Sequence, residues 1–146
     1  MPEHHDSYRM TAKGPEQITA YHAHVYYDPA TSRFDASLLR QRIAEFFPDA
    51  RLGRWHDVPV GPHAQAMYQV AFAPDQFTTL VPWLMLNREG LSVLVHPDTL
   101  APRDDHLRHA LWLGTPLPLK GDRLPLAAEP DDGPLPAPNT LPTLVA

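Results

Sequence analysis

The feature that most constrains the fold is a repeated change in the spacing of apolar residues between positions 18 and 96. Apolar residues alternate with period two in residues 18–27, as in a half-buried strand, and recur at helical spacing in residues 36–47. The same change follows again, with strand patterns in 50–60 and 66–73, a helix pattern in 74–88 and a strand pattern in 91–96. The order β-α-β-β-α-β predicts an α+β, ferredoxin-like domain, in which a four-stranded antiparallel sheet carries both helices on one face.

Residues with special backbone preferences mark the predicted helix ends. Asp35 is the predicted N-cap of the first helix, and Pro48 stops it. In the second helix, Pro82 predicts a kink and Gly90 a C-terminal stop. Asp104 and Asp105 are predicted to cap a further short helix over residues 106–114.

The chain divides into one folded domain and two flanking segments. Residues 1–17 are polar and interrupted by proline and glycine, which predicts a mobile leader. Residues 18–119 are expected to form the domain, and residues 120–146 a proline-rich tail that cannot extend a sheet. An apolar fraction of 43% over 146 residues is sufficient for a buried core.

Charge and composition exclude several classes of protein. A net charge of −5 argues against a nucleic-acid-binding protein, which would present a basic face. No apolar run approaches the roughly 20 residues that span a bilayer, so no membrane partner is expected. The N-terminus lacks the layout of a secretory signal, which predicts a cytoplasmic location. The chain has no cysteine, so any metal must be held by nitrogen and oxygen ligands.

Three histidines are expected to meet on one face of the sheet. Alternation in the first strand places His22, His24 and Tyr26 on the same face, opposite the apolar residues between them. The last strand should lie antiparallel beside the first, which brings His96 close to this pair. Three converging imidazoles indicate a metal site. The alternative is that they are ordinary polar residues of a sheet surface.

Four stretches in the same order resemble the DOPA 4,5-dioxygenase family. They are "YHAHVYY", "VGPHAQAMYQVAF", "LSVLVHPDT" and "DDHLRHALWLGTPLPL", and the resemblance covers residues 20–119. It implies a dimeric ferredoxin-like protein that cleaves a catechol ring in the extradiol position with dioxygen and a non-haem metal, normally iron(II). The histidines of the family's pattern fall at His22, His24, His63, His96 and His106.

The resemblance and the predicted faces together assign roles to these residues. His22, His24 and His96 are the expected metal ligands, with iron(II) as the expected metal and zinc or another divalent ion as the alternative in a purified sample. His106 and His63 are candidates for the base and acid of the reaction, because imidazole titrates near neutral pH. Tyr26 would hydrogen-bond the substrate or simply pack. The expected partners are a catechol such as DOPA, dioxygen and a second copy of the chain.

Two points stay open at the level of sequence. Iron(II) oxygenases usually combine two histidines with one carboxylate. Asp105 is the nearest candidate carboxylate, and an all-histidine site is the alternative. The same residues are also compatible with a metal- or small-molecule-binding module without turnover, and with a dimeric interaction domain whose open sheet face is the subunit interface.

Overall fold

The computed structural model describes residues 12–128, which form one antiparallel sheet with helices. Along the chain its elements are β1 (Ala20–Tyr27), α1 (Arg33–Phe46), β2 (Arg51–Leu52), β3 (Ala66–Phe72), α2 (Phe77–Asn87), β4 (Val93–Asp98), α3 (Pro102–Leu107) and β5 (Leu111–Leu113). The strands lie in the order β2-β3-β1-β4-β5. The α+β class is therefore confirmed, and β1 is the central strand, where its alternating apolar residues can be buried.

Helices α1 and α2 pack on the same face of the sheet and form the main core with it. The core combines one face of the strands with one stripe from each helix, including Ala23, Val25, Leu39, Ile43, Val70, Leu80, Leu84 and Val93. Because neighbouring strand residues point to opposite faces, this packing leaves His22, His24 and Tyr26 on the face away from α1 and α2. The predicted assignment of faces in β1 thus agrees with the observed core.

The prediction of four strands was wrong, because a fifth strand follows α3. Helix α3 begins at Pro102, so Asp104 and Asp105 lie inside its first turn rather than before it. His106 is in the last turn of α3, not in the first turn of a helix over 106–114. The following residues of that range form β5, which pairs with β4. The proline at the first helical position is the correct start signal, and alternation at Leu111–Leu113 fits a strand.

Other element boundaries also differ from the prediction. The strand predicted over 50–60 is reduced to β2, after which the chain leaves the sheet near Gly53 and returns only as an isolated bridge between His56 and Met67. Ser32, rather than Asp35, is the N-cap position of α1. Helix α2 continues through Pro82. No helix within residues 12–128 has the length and apolar character needed to cross a bilayer.

The second face of the sheet is covered by the chain itself. Tyr26, Met67 and Leu94 are buried there under Val60 from the β2–β3 connection and under Leu117 and Leu119 from the segment after β5. Among the described residues this face is therefore not the large open apolar surface that would by itself call for a partner subunit. The dimer itself stays a prediction.

The segment after β5 also holds α3 in place. The Arg103 side chain donates hydrogen bonds to the carbonyls of Gly121 and Leu124, and the Ala128 N–H donates to the carbonyl of Leu100. Part of the range assigned to the tail thus contacts the helix that carries His106. The leader prediction for residues 1–11 and the tail prediction for residues 129–146 lie outside the described residues.

Candidate metal centre

The histidines of β1 and β4 form a compact group on the face opposite the two long helices. His22 is directly opposite His96 in the β1–β4 pairing, and the ring centroids of the two are 5.1 Å apart. His24 is two residues along β1, and its ring is also 5.1 Å from that of His96. The structure therefore brings together the three histidines that strand alternation placed on one face.

His24 and His96 have the closest contact in the group. Their Nε2 atoms are 3.0 Å apart, and both side chains are only 3% exposed. Two nitrogens that bind one ion at about 2.1 Å and at a right angle are roughly 3 Å apart, so this separation fits two neighbouring ligands of a single metal. The Nδ1 atom of His24 is buried without a hydrogen-bond partner within the described residues. A buried polar atom without a partner destabilises the folded state unless a further group binds it.

His63 and His106 complete a second group around His24. The ring of His63 is 4.3 Å from that of His24, and the ring of His106 is 3.8 Å from that of His96. One nitrogen each from His24, His63 and His106 lies within 4.8 Å of the others, as is also true of His22, His24 and His96. All five family-pattern histidines therefore surround one small volume, and His24 belongs to both groups.

Hydrogen bonds donated to backbone carbonyls set the tautomers of His96 and His106. Nδ1 of His96 is 2.8 Å from the carbonyl of Pro97, and Nδ1 of His106 is 2.7 Å from the carbonyl of Pro102. A carbonyl can only accept, so in each case Nδ1 carries the proton and Nε2 of the neutral ring has a free lone pair. This is the usual arrangement of metal-ligating histidines, and it equally suits a base.

Tyr26 gives His63 the opposite tautomer. The Tyr26 hydroxyl is 2.6 Å from Nδ1 of His63. Burial raises the pKa of Tyr26, so the phenol stays protonated and donates to this nitrogen. The proton of the neutral His63 ring is then on Nε2. His63 thus offers a donor where His96 and His106 offer lone pairs.

Burial keeps the imidazoles neutral. Desolvation lowers the pKa of His96 to about 3 and that of His63 to about 4, and it also lowers the pKa of His22, His24 and His106. The other histidines add to the effect, since a second positive charge in the group would be repelled. For His106 the dominant cause is burial. Neutral imidazole is the form that binds metals.

Asp105 positions α3 and is not free to bind a metal. One of its oxygens accepts from the Thr99 N–H at 2.7 Å, and the other from the Thr99 hydroxyl at 2.6 Å and from His109 at 3.0 Å. Burial acts to raise the pKa of Asp105, but these hydrogen bonds outweigh it, and the net pKa is lowered. Within residues 12–128, the groups of side chains close enough to hold an ion contain only histidine. The structure therefore favours the all-histidine alternative.

The remaining histidines lie outside the group or outside the described residues. His109 is held by Asp105, and His56 forms its bridge through the backbone. His4 and His5 are not among the described residues. Sequence reasoning missed Trp112, whose ring stacks on that of Tyr26 at 5.6 Å beside the histidines. The alternation of "LWL" was the available signal.

The buried histidines predict that acid destabilises the metal-free protein. Their ordinary pKa is 6.5, whereas burial holds His63 at about 4 and His96 at about 3. Between these values the unfolded chain binds more protons than the folded one, so the free energy of unfolding falls as pH falls below about 6.5. Each of the two contributes about 1.4 kcal/mol per pH unit in that window. Urea unfolding in a chelator at a series of pH values measures the slope, and a His63→Gln variant should show a smaller one. A flat profile between about pH 6.5 and 4.5 would contradict this expectation.

Comparison with known proteins gives a consistent result. The profile of the Dopa 4,5-dioxygenase family matches residues 21–123. A DOPA 4,5-dioxygenase of Amanita muscaria is 30% identical over 120 residues, and an uncharacterized 21.2 kDa protein of Botryotinia fuckeliana is 39% identical over 111 residues. These alignments cover 77% and 68% of this chain but only 53% and 60% of the respective relatives, so the chain spans little more than half of their length.

A solved structure extends the likeness to three dimensions. A protein of Nostoc punctiforme, described as a candidate dioxygenase, is 49% identical and superposes with a TM-score of 0.74, covering 77% of this chain and 96% of that one. The family match includes His22, His24, His63, His96 and His106. The chain belongs to the Dopa 4,5-dioxygenase family.

Proposed function

We propose that this protein is an extradiol dioxygenase that opens the ring of a catechol such as DOPA with dioxygen, using iron(II) held by His22, His24 and His96. The observation that carries the proposal is the convergence of five neutral histidines, three of them buried and two half-buried, on one face of the sheet, in a chain of this family. The donor set fits a divalent transition metal, since imidazole suits iron and zinc, and the orphaned Nδ1 of His24 marks an incomplete polar site. The chemistry that iron(II) supplies when bound is Lewis-acid activation of the catechol hydroxyls and electron exchange with dioxygen.

His106 is the proposed base. Its Nε2 lone pair can accept the proton of a catechol hydroxyl, because Nδ1 is already committed to the carbonyl of Pro102. The same carbonyl stabilises the imidazolium that results, since the Nδ1–H bond strengthens when the ring becomes charged. Burial lowers the pKa of His106, so the base is unprotonated before substrate binds.

His63 is the proposed donor on the acid side. With Tyr26 donating to Nδ1, the Nε2–H of His63 can donate a hydrogen bond to a substrate oxygen on which negative charge develops. The rings of His63 and His106 are 6.0 Å apart, so a substrate group between them could contact both. Tyr26 is then a positioning residue for His63, and not a group that contacts the reacting atoms.

A non-catalytic zinc-binding module is the second candidate. The observation that favours it is the absence of a carboxylate from the histidine groups of the described residues. Three neutral imidazoles are a common ligand set for zinc, whereas iron(II) oxygenases more often include one carboxylate.

We also propose a homodimer, for which the exposed apolar side chains of the helix layer, such as Phe46 and Leu86, offer a surface.

Metal exchange separates the two candidate functions. Protein loaded with iron(II) without oxygen, mixed with DOPA and then aerated, is expected to consume oxygen and to form a coloured ring-opened product. Zinc-loaded protein is the matched control and should do neither, since zinc has no redox chemistry. If the iron-loaded protein binds metal with full occupancy but consumes no oxygen with any of several catechols, the dioxygenase proposal is wrong.

A further inference from the structure

Arg51 lies in the same row across the sheet as two of the candidate metal ligands. It is paired with Ala71 in β3, Ala71 is paired with His22 in β1, and His22 is paired with His96 in β4. Directly paired residues of antiparallel strands have their side chains on the same face. The row therefore places one arginine, from edge strand β2, on the face that carries the histidines.

In this row a single small residue lies between Arg51 and the histidine group. The intervening residue Ala71 contributes only a methyl group, and two strand spacings of about 4.8 Å place the Cα atoms of Arg51 and His22 roughly 10 Å apart. An arginine side chain can cover much of that distance. The positive charge of Arg51 is close enough to contribute to lowering the pKa of His22, although burial is the larger cause.

Arg51 has no ion-pair partner among the described residues, in contrast to several other arginines. Arg33 pairs with Asp57, and Arg42 pairs with Glu89; both arginines belong to α1, which packs on the opposite face of the sheet. Asp98, in β4 at the other end of the row, acts to raise the pKa of His22 through its charge. Asp98 accepts a hydrogen bond from the Leu100 N–H and forms no ion pair with Arg51. The half-buried Arg51, in the same row as His22 and His96, is thus available to an anion.

We propose that Arg51 is a specificity-determining residue, which binds a carboxylate on the side chain of a catechol whose ring lies at His22, His24 and His96. The guanidinium fork matches the two oxygens of a carboxylate. A side chain of two or three carbons between ring and carboxylate would span the gap over Ala71. The inference rests on the catechol-binding part of the proposed function and adds the residue that selects among catechols.

Two probes that differ in the carboxylate test this assignment. They are 3-(3,4-dihydroxyphenyl)propionate and 4-ethylcatechol, which share the ring and the start of the chain. Binding to iron-loaded protein is measured by calorimetry in oxygen-free buffer, so that the readout does not depend on turnover. We expect the wild type to prefer the carboxylate probe, and Arg51→Gln to weaken its binding by about 10- to 100-fold with 4-ethylcatechol unchanged.

Two further variants separate recognition from folding and from general charge effects. Arg51→Lys keeps the charge but loses the fork, so it should retain part of the preference. Arg42→Gln removes the same charge from α1 and should leave both affinities unchanged. All variants are compared at equal iron content. In steady state, Arg51→Gln should raise KM for the carboxylate substrate with little change in kcat, a split that damage to the metal site would not produce.

The outcomes also separate this inference from the proposed function. Equal binding of the two probes by the wild type, binding of neither, or an equal loss of both in Arg51→Gln overturns the role of Arg51. If the preference for the carboxylate probe depends on Arg51 but no oxygen is taken up, the inference is kept and the dioxygenase activity is overturned. If oxygen is taken up but Arg51→Gln leaves the preference for the carboxylate probe intact, the dioxygenase activity is kept and the role of Arg51 is overturned.

Discussion

Replacing His96 with glutamine is expected to remove the bound metal and to reduce ring opening to background. The Nε2 atom of His96 is 3.0 Å from that of His24, and its Nδ1–H is fixed by the carbonyl of Pro97, so the lone pair is aimed into the histidine group. Glutamine keeps a polar side chain but offers no comparable nitrogen ligand. The loss of metal affinity should exceed 100-fold, which is the upper end for removal of a mere outer-shell partner.

Metal content and oxygen uptake on the purified variant measure this effect. His56→Gln is the matched control, because His56 contributes to the sheet through its backbone and lies outside the two histidine groups. It should retain both metal and activity. A His96→Gln protein that still binds one equivalent of iron with wild-type affinity would show that His96 is not a ligand.

The second large effect is expected for His106→Gln, which should keep the metal and slow turnover by roughly 100-fold or more, the usual scale for loss of a general base. The free Nε2 of His106 is supplied by an imidazole that α3 holds through Pro102, whereas the proposed ligands are on β1 and β4, so the substitution removes none of them. kcat should fall more than KM rises, because the lost interaction acts on proton transfer.

Metal analysis and kcat on this one variant distinguish three roles. Loss of iron would make His106 a ligand, which its lone-pair tautomer would also allow. Full metal with full activity would remove it from the mechanism. His109→Gln, three positions along and outside the two histidine groups, is a control for substitution near α3.

The position of the candidate metal site could be predicted from β1, because alternation alone fixes which side chains share a face. With "AYHAHVYY" central in the sheet, the apolar residues had to lie under the helices and the two histidines on the other side. Placing His96 required only that β4 pairs with β1, which follows from the order of elements. The period-two spacing therefore predicted the part of the site that lies on regular strands.

The rest of the site depends on tertiary contacts that leave no periodic signal. His63 is placed by its hydrogen bond with Tyr26 and by a bridge to Leu119, which is 56 positions later in the chain. Only the resemblance to the family singled it out. The buried hydrogen bonds of Asp105 could not be predicted either, since an aspartate near the start of a helix is equally typical of an N-cap. Arg51 was missed because its row is visible only once the strand register is known.

The long separation along the chain between His24 and His96, 72 positions, has a consequence for how the protein matures. Contacts between distant positions form late, since closing a long loop costs entropy before any contact repays it. A nascent chain that ends before β4 holds His22, His24 and His63 but lacks His96 and His106, so neither histidine group is complete. Tight capture of a metal would then have to wait until β4 docks beside β1. Loading would be coupled to completion of the fold, and a truncated or misfolded chain would not sequester a redox-active ion.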